Sequence, residues 1–461
     1  MWGIHIALAC LVFSQGAFGQ TLASLLDLAR SSEPTYLGVK TNVMAAKARV
    51  DQAFGVMLPQ VSLTGSTNAH DRNYNTRDSH DPSASEGYNS NSAQVSLTQP
   101  IWRYANIVGW RQAKVVAEQS EYQLAGAEQE LLAKLVEAWF NVLAARDEVA
   151  FTTQQAAAQQ FQLAVATRGG ELGASSWPQL EEARAKLDQA LADVAMAESE
   201  AQLKRAELEQ LVGPLHELNA SYMRGEAVLA SPTAVKLDGW LQGVDAGNPN
   251  LLAAMRAYEA AEAEVSKQRA GHYPTLDLVA SYGKNSQSVG GFPGQSGYDI
   301  KQGTMGLELS VPIFSGGTQS AKVVEALAQQ EKARLEVEMA RRTAVLAIKQ
   351  AWFTWHSAQI RTLAGIQAIR SAHSTLAQAQ VGTGQGLKTR LDILQAEQQL
   401  RAGQRDFRKG RYDQVVAYVK LKAAVGSLTE GDVAALDALL VTSPEEAGPE
   451  MEPRLIKVRA R

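Results

Sequence analysis

The chain has 461 residues, of which 45% are hydrophobic and 20% are charged, with 44 Lys and Arg against 48 Asp and Glu. This apolar fraction excludes a wholly disordered chain, and a net charge of -4 argues against a nucleic-acid partner. The single cysteine, Cys10, allows neither an intramolecular disulfide nor a cysteine-based zinc site, and the 7 histidines form no HExxH motif. We therefore expect no metal and no cofactor.

The N-terminal segment has the composition of an export signal. Its first 19 residues contain no charged side chain, and an apolar run at 4–13 is followed by Ala17-Phe18-Gly19. This pattern predicts a signal peptide at residues 1–19, although the positive charges that usually begin such peptides are missing. The alternative is a lipoprotein signal in which Cys10 carries the lipid. After residue 20 no run of 18 apolar residues occurs, so the sequence predicts no membrane-spanning helix.

The most informative feature of the sequence is an internal repeat. Six landmarks recur at separations of 215, 215, 212, 213, 213 and 213 residues. In chain order, the pairs are Pro34 and Pro249, Pro59 and Pro274, Pro100 and Pro312, Trp139 and Trp352, Gly173 and Gly386, and Gly213 and Gly426. Such a steady separation predicts a duplicated fold. We expect a first repeat at 20–213, a linker at 214–239, a second repeat at 240–429 and a C-terminal tail at 430–461.

Each repeat is expected to begin with a helix, at 22–56 and at 240–270, and to continue as a β-hairpin, at 61–101 and at 276–313. Apolar and polar residues alternate in the hairpins, as in Val61-Ser62-Leu63-Thr64, so each hairpin has one apolar and one polar face. Strands of roughly ten residues suit a tilted membrane-crossing strand. A small soluble sheet with one buried face is the alternative.

Two proline-free segments rich in Ala, Gln and Glu follow the hairpins. Residues 104–167 and 318–381 would each form a helix about 96 Å long at a rise of 1.5 Å per residue. Each segment then meets a glycine-rich turn, at 169–173 or 382–386, where positive φ angles are accessible, and a second helix follows. Both repeats are therefore predicted to end in long helical hairpins, at 104–211 and 318–425.

Four strands per chain cannot close a barrel, and open sheet edges are unfavourable in lipid because their N–H and C=O groups lack partners. Two chains would supply eight strands, and three would supply twelve. An eight-stranded barrel is filled by its own side chains, whereas a twelve-stranded barrel leaves a lumen. We therefore predict an α+β membrane protein, in which a homotrimeric twelve-stranded β-barrel continues into a long α-helical coiled-coil tunnel.

The sequence resembles the TolC-type outer-membrane efflux and type I secretion channels. The resemblance extends to about Thr429 and rests on the duplicated plan and on three segments, Gln99-Pro100-Ile101-Trp102, Val311-Pro312-Ile313-Phe314 and residues 381–397. It implies a channel without enzymatic activity in the outer membrane of a Gram-negative cell, extending into the periplasm. It also implies outer-membrane lipid, a periplasmic adaptor (membrane fusion) protein and an inner-membrane ABC or proton-driven pump as partners.

In this family the tunnel closes at its periplasmic end through aspartate rings, hydrogen bonds and salt bridges. By position, Asp392 matches the first gate aspartate and Lys388 matches the basic residue four before it. Gln395 replaces the second gate aspartate, and Thr383 replaces the gate tyrosine, so a second ring and an aromatic latch are absent. Three Asp392 carboxylates on a three-fold axis would repel one another and attract cations.

Glu181 and Glu182 lie in the stretch of the first repeat where the resemblance places the partner of that basic residue. The alternative for Lys388 and Asp392 is an ordinary surface pair four residues apart on a helix, which contributes about 0.2–0.5 kcal/mol. A basic cluster is interpreted as a solvated helix face and comprises Arg401, Arg405, Arg408, Lys409 and Arg411.

The two hairpin turns are candidate contacts for the adaptor, and the alternative is that they only reverse the chain. The residues concerned are Gly169, Leu172, Gly173, Gly382, Gly386 and Leu387. The glycines do not form a phosphate loop, because GxxxxGK[ST] is missing and the turns join two helices.

These features predict the exit duct of a tripartite export machine, a passive pore gated at its periplasmic helical end and opened by adaptor and pump docking. The lack of a convincing lipid anchor favours type I secretion of a protein toxin. The alternative is the outer-membrane component of a small-molecule or multidrug efflux pump. A periplasmic adaptor would need one helical hairpin rather than two, and a coiled-coil scaffold would lack the alternating strands.

Overall fold

The computed structural model describes residues 21–74, 84–173, 176–215, 222–224, 228–229, 236–290, 295–441 and 455–456. The predicted signal peptide, Cys10, most of the predicted linker and most of the predicted tail lie outside these residues. The chain divides into two units. The sheet unit comprises Val39–Leu124 and Asn250–Arg341, and the hairpin unit comprises Met1–Gly38, Ala125–Pro249 and Arg342–Arg461.

The same order of long elements occurs twice along the chain. The elements are α1 (Leu22–Ser32), α2 (Pro34–Gly55), β1 (Gln60–Tyr74), β2 (Ala84–Trp102), α3 (Tyr104–Glu171), α4 (Trp177–Val212), β3 (Tyr222–Met223), β4 (Val228–Leu229), α5 (Leu237–Gln242), α6 (Val244–Gly247), α7 (Pro249–Ala270), β5 (Thr275–Val289), β6 (Ser296–Ser310), α8 (Thr318–Gly384), α9 (Arg390–Val425), α10 (Glu430–Asp437), β7 (Leu440–Val441) and β8 (Leu455–Ile456). The long helices α3 and α8 have 68 and 67 residues, and α4 and α9 have 36 each. Among the described helices, none combines the length and apolarity needed to cross a membrane.

The first helix of each repeat is divided, contrary to the prediction of single helices at 22–56 and 240–270. A break at Glu33 separates α1 from α2, and α5, α6 and α7 replace the second predicted helix. Pro34 and Pro249 begin α2 and α7. Proline lacks the N–H that a helix interior needs and is tolerated in the first turn, so each proline restarts the helix.

The four long strands form one antiparallel sheet in the order β1-β2-β5-β6, which confirms the prediction of four strands per chain. The strands hold 15, 19, 15 and 15 residues, so the predicted length of roughly ten was too short. The sequence predicts polar, glycine-rich connections at 70–91 and 284–303, but most of their described residues continue the ladder because they pair across it. His70 stacks on Tyr88, and Arg72 Nη2 lies 2.6 Å from Glu86 Oε2.

The hairpin unit has a hydrophobic core at the middle of α3 and the end of α9. Trp139 and Phe140 of α3 are fully buried, and Phe140 packs on Tyr412 of α9 at 5.6 Å between ring centroids. Leu25 of α1 and Leu208 of α4 belong to the same core. The apolar residues of α3 therefore hold neighbouring helices of this unit together, and the aromatic pair contributes about 0.5–1.5 kcal/mol beyond its buried area.

The segment assigned to the C-terminal tail begins with a helix that packs in this core. Val433 and Leu436 of α10 are buried in it, and the Thr429 side chain caps α10 by accepting a hydrogen bond from the Asp432 N–H. Burial alone would raise the pKa of Asp432, but hydrogen bonds from Lys422 and Thr429 lower it overall. Residues 430–437 are therefore part of the folded hairpin unit.

We predict that Gly426→Ala destabilises the hairpin unit by about 3 kcal/mol or more. Gly426 has a φ angle of 83° after the last turn of α9, and a Cβ placed there would lie 2.1 Å from the Gly247 carbonyl oxygen. Thermal unfolding followed by circular dichroism at a helix wavelength measures the effect. Gly384→Ala is the matched control, because nothing lies within 4 Å of its Cβ position. Equal midpoints for the two variants would contradict the prediction.

Candidate functional site

Four of the six predicted gate residues lie in or beside the turn between α8 and α9. The N–H groups of Leu387 and Lys388 both donate to the Gly382 carbonyl, at 2.8 and 3.1 Å, and Gly386 has a φ angle of 73°. A Cβ on Gly382 would lie 2.7 Å from Lys388 Cγ. Glycine is therefore favoured at 382, where a Cβ would displace the Lys388 side chain, and at 386 for the left-handed conformation.

Asp392 is tied to the start of α9 by a capping box. The N–H and the hydroxyl of Thr389 donate to Asp392 Oδ2 at 2.6 and 2.8 Å, and the Asp392 N–H donates to Thr389 Oγ1 at 3.3 Å. These hydrogen bonds from Thr389, together with the charge of Lys388, lower the pKa of Asp392 below its ordinary value of 3.8. The carboxylate is therefore ionised at neutral pH and also stabilises the helix end.

The structure brings Lys388 and Thr383 next to this cap. Lys388 Nζ lies 3.8 Å from Asp392 Oδ1, which is a loose ion pair between an exposed lysine and a partly exposed aspartate. The Thr383 hydroxyl donates to the Ala379 carbonyl at 2.8 Å. Gln395 is exposed and lines an open cavity of about 610 Å³ between α3 and α9. The predicted gate residues of the second hairpin thus lie at one tip, Thr383 at the end of α8, Lys388 in the turn, and Asp392 and Gln395 in the first two turns of α9.

Glu181 and Glu182 pair within their own helix. Glu181 Oε1 lies 2.9 Å from Arg184 Nη1, and Glu182 Oε1 lies 2.6 Å from Lys186 Nζ. The hydrogen bond and charge of Lys186 lower the pKa of Glu182. In the described part of the chain, no ion pair joins Lys388 to either glutamate. Their role as partners of Lys388 stays a prediction.

The hairpin turns begin three residues later than predicted. Gly169 lies inside α3, which ends at Glu171, and Gly382 lies inside α8, which ends at Gly384. Helix continues through these glycines because a reversal needs one residue at positive φ, and Gly173 supplies it in the first hairpin with a φ angle of 69°. Each turn presents an apolar side chain to solvent, since Leu172 is 71% exposed and Leu387 is 78% exposed.

The sheet has two chemically different faces. On one face, the register aligns Val61 with Leu97, Leu97 with Ala280, and Ala280 with Met305. Exposed apolar residues of this face in β1 and β6 include Leu63, Met305 and Leu307, each at least 65% exposed. On the opposite face, the Ser62 and Ser96 hydroxyls lie 2.8 Å apart, and those of Ser281 and Thr304 lie 2.7 Å apart. A sheet of this kind suits a boundary at which its apolar face contacts an apolar medium and its polar face contacts water.

The basic cluster of α9 is only partly the solvated face that we expected, because Arg401 and Lys409 are exposed whereas Arg411 is buried. Arg411 is 3% exposed and donates to the Arg224 carbonyl, and Arg405 lies over the ring of Phe151. The buried Tyr412 hydroxyl donates to Asp147 at 2.8 Å. Burial and the nearby charge of Asp147 raise the pKa of Tyr412.

Sequence reasoning also missed the ion pair at the base of the sheet. Arg103 Nε donates to Asp277 Oδ1 at 2.8 Å, and the Asp277 side chain is 8% exposed. Asp277 faces the polar side of the sheet, opposite Glu308 in β6. The sequence did contain a signal for this pair: Asp277 is a charged residue inside a strand of alternating character, and Arg103 directly follows the end of another strand.

The fold defined by these elements is that of an outer-membrane channel of the TolC type. The CmeC outer membrane channel of Campylobacter jejuni has the same fold, with a TM-score of 0.73 over 92% of this chain and 89% of that chain. The two sequences are 17% identical, so this similarity concerns the fold alone.

The sequence profile of the family described as "Outer membrane efflux protein" matches residues 25–214 and 240–427, and the chain belongs to this family. The outer membrane protein TolC of Vibrio cholerae is 26% identical over 436 residues, 94% of this chain and 97% of that protein. The alkaline protease secretion protein AprF of Pseudomonas aeruginosa is 27% identical over 361 residues, 78% of this chain and 74% of that protein. Family membership confirms the resemblance, the outer-membrane location and the coarse function of an efflux channel.

We predict that Thr389→Val destabilises the start of α9 by about 1 kcal/mol, because it removes the capping hydroxyl. Amides at 390–395 should then exchange with deuterium about fivefold faster. Because the cap lowers the pKa of Asp392, its contribution is present above pH 3.8 and is lost as the pH falls through the lowered folded-state pKa. Thr375→Val is the control, because that exposed hydroxyl donates within α8 to the Ser371 carbonyl. Equal exchange in both variants would show that the cap contributes nothing.

Proposed function

We propose that three copies of the chain join their sheets edge to edge into a twelve-stranded β-barrel in the outer membrane. The observation that supports this is an open four-stranded sheet whose outermost strands, β1 and β6, each have one long edge without a partner strand in the described residues. In lipid, unpaired N–H and C=O groups cost several kcal/mol each, so these edges must meet neighbours. The exposed apolar face would contact lipid, and the polar face would line water.

The number of copies follows from the lumen. Two copies would give eight strands, and an eight-stranded barrel is filled by its own side chains. Three copies give twelve strands and leave a water-filled interior, which an export duct requires. The helical hairpins of the three copies would enclose the periplasmic tunnel.

We assign the closed end of that tunnel to the tip of the second hairpin, which carries Lys388 in the turn and Asp392 in the first turn of α9. Three Asp392 carboxylates near a three-fold axis would repel one another and hold cations, because the capping hydrogen bonds keep each one ionised. Lys388, already 3.8 Å from Asp392, supplies part of the balancing charge. Thr383 and Gln395 place polar groups where the resemblance expects a tyrosine and a second aspartate.

The duct itself is proposed to perform no chemistry and to depend on partners. A periplasmic adaptor would contact the exposed tips, which include Leu172 and Leu387, and an inner-membrane pump would supply the energy. The cargo that we favour is a secreted protein, supported by the similarity to AprF, a protease secretion protein. Small-molecule efflux is the second candidate, supported by the description of the family itself. Deletion of the gene, with secretion of a large protein and dye accumulation assayed in parallel, separates the two.

We expect the purified protein to form heat-modifiable trimers from outer-membrane fractions and to conduct ions in planar lipid bilayers. The physical reason is that edge pairing in lipid creates a continuous water-filled lumen. A variant that lacks residues 61–101 should lose conductance, because it lacks half of the sheet. Soluble monomers without conductance, or unchanged assembly of the deletion variant, would contradict the barrel and favour a coiled-coil scaffold.

Asp392→Asn should weaken block by divalent cations added from the periplasmic side. The amide oxygen still accepts the hydrogen bonds of the cap, but three negative charges are removed from the proposed ring. We expect half-block to require an about tenfold higher cation concentration, because close charges interact strongly at a narrow constriction. Bilayer recordings measure the block. Asp188→Asn, at an exposed position of α4, is the control for loss of one carboxylate per chain. Unchanged block would remove Asp392 from the gate.

A further inference from the structure

Two lysines lie on the apolar face of the sheet, beyond its apolar band. The register pairs Lys284 of β5 with Lys301 of β6. Side chains alternate between faces, so Lys284 shares a face with Leu278 and Tyr282, and Lys301 shares it with Met305. Two ammonium groups directly opposite each other on an apolar face repel one another, which is unfavourable unless a negatively charged ligand compensates them.

The charge around this lysine pair is only partly balanced by the protein. Asp299 Oδ1 lies 3.4 Å from Lys284 Nζ, and Asp299 is on the same face. The Lys301 ammonium group makes no hydrogen bond or ion pair to the described residues, although its charge acts on Asp299, and the side chain is exposed. Two lysines and one carboxylate leave a net charge of about +1 per chain at this place. Lys284 keeps 50% of its side chain exposed, so both ammonium groups are accessible.

The pair lies at the height where a membrane boundary is expected. From Leu276 to Lys284, β5 is about 27 Å long. If the strand is tilted by roughly 40° from the membrane normal, this length spans about 20 Å of membrane thickness. The apolar band of an outer-membrane barrel is about 25 Å tall and ends in an aromatic girdle. Tyr282, which is 64% exposed, lies on the same face two residues before Lys284, between the lysines and the apolar band. The order of leucine, tyrosine and lysine matches the passage from acyl chains to charged headgroups.

The lysines also lie toward the end of the sheet where the strands turn back. The opposite end of the sheet, at Trp102 and Thr275, leads to the helices of the same unit. If those helices face the periplasm, as the proposed function requires, the lysines reach the outer leaflet. We propose that Lys284 and Lys301 bind the phosphates of a glycolipid in the outer leaflet of the outer membrane. A headgroup with two phosphates can give each ammonium group a phosphate of its own, whereas a phosphodiester offers a single phosphate to both.

Native mass spectrometry of the full chain in mild detergent tests this inference, with bisphosphorylated lipid A as the probe. The variant combines Lys284→Gln and Lys301→Gln. Each lysine near an anionic lipid surface contributes roughly a factor of five to binding, so we expect the double variant to bind lipid A about 25-fold more weakly. Lipid A without its phosphates should bind both proteins equally. The matched control combines Lys322→Gln and Lys332→Gln, two exposed lysines of α8, and should bind lipid A as the unmodified chain does.

Three outcomes would overturn the glycolipid site: equal lipid A binding by the variant and the unmodified chain, equal binding of lipid A with and without phosphates, and equally tight binding of phosphatidylglycerol. Loss of the trimer in the variant, with lipid binding per chain unchanged, would instead make the lysines an interface between copies. The same samples report the trimer mass and the bilayer conductance. A conducting trimer without lysine-dependent lipid binding removes this inference alone, whereas an unmodified chain without trimer or conductance removes the proposed function and this inference with it.

Discussion

Pairing of backbone hydrogen-bonding groups along the sheet edges is the constraint on which the other features of this protein depend. The four strands satisfy one another inside the chain, but β1 and β6 end the sheet. An apolar face that is exposed on such an open sheet is compatible with lipid only when the edges find partners. The proposed trimer, its lumen and the exposure of Lys284 to lipid all follow from that requirement.

The same backbone chemistry, on a smaller scale, shapes the tip of the second hairpin. Two N–H groups converge on the Gly382 carbonyl, and Thr389 and Asp392 satisfy the first N–H groups of α9. Asp392 therefore has a structural role as a cap that is independent of any gate. A carboxylate used in this way keeps its charge at neutral pH, so one residue stabilises the turn and presents negative charge at the tip.

The order of elements was accessible from the sequence because its signals are local. Proline and glycine landmarks at a separation near 213 residues marked the repeat, and alternation identified the hairpins. The strand ends were placed wrongly because polar residues such as Arg72 join the ladder through partners on another strand, here Glu86. Gate positions came from the resemblance, whereas the capping box that ties Asp392 to Thr389 was found only in the structure.

Periodicity, proline positions and turn glycines determined the long helices and the two faces of the sheet, since these depend on residues close together along the chain. The recurrence of the same landmarks about 213 residues apart determined the repeat. Only the tertiary structure decided that β2 pairs with β5, that α10 joins the core, and that Arg411 and Asp147 are buried among helices. Those outcomes depend on contacts between residues far apart in sequence. The burial of each residue there depends on which side chains of other helices and strands pack against it.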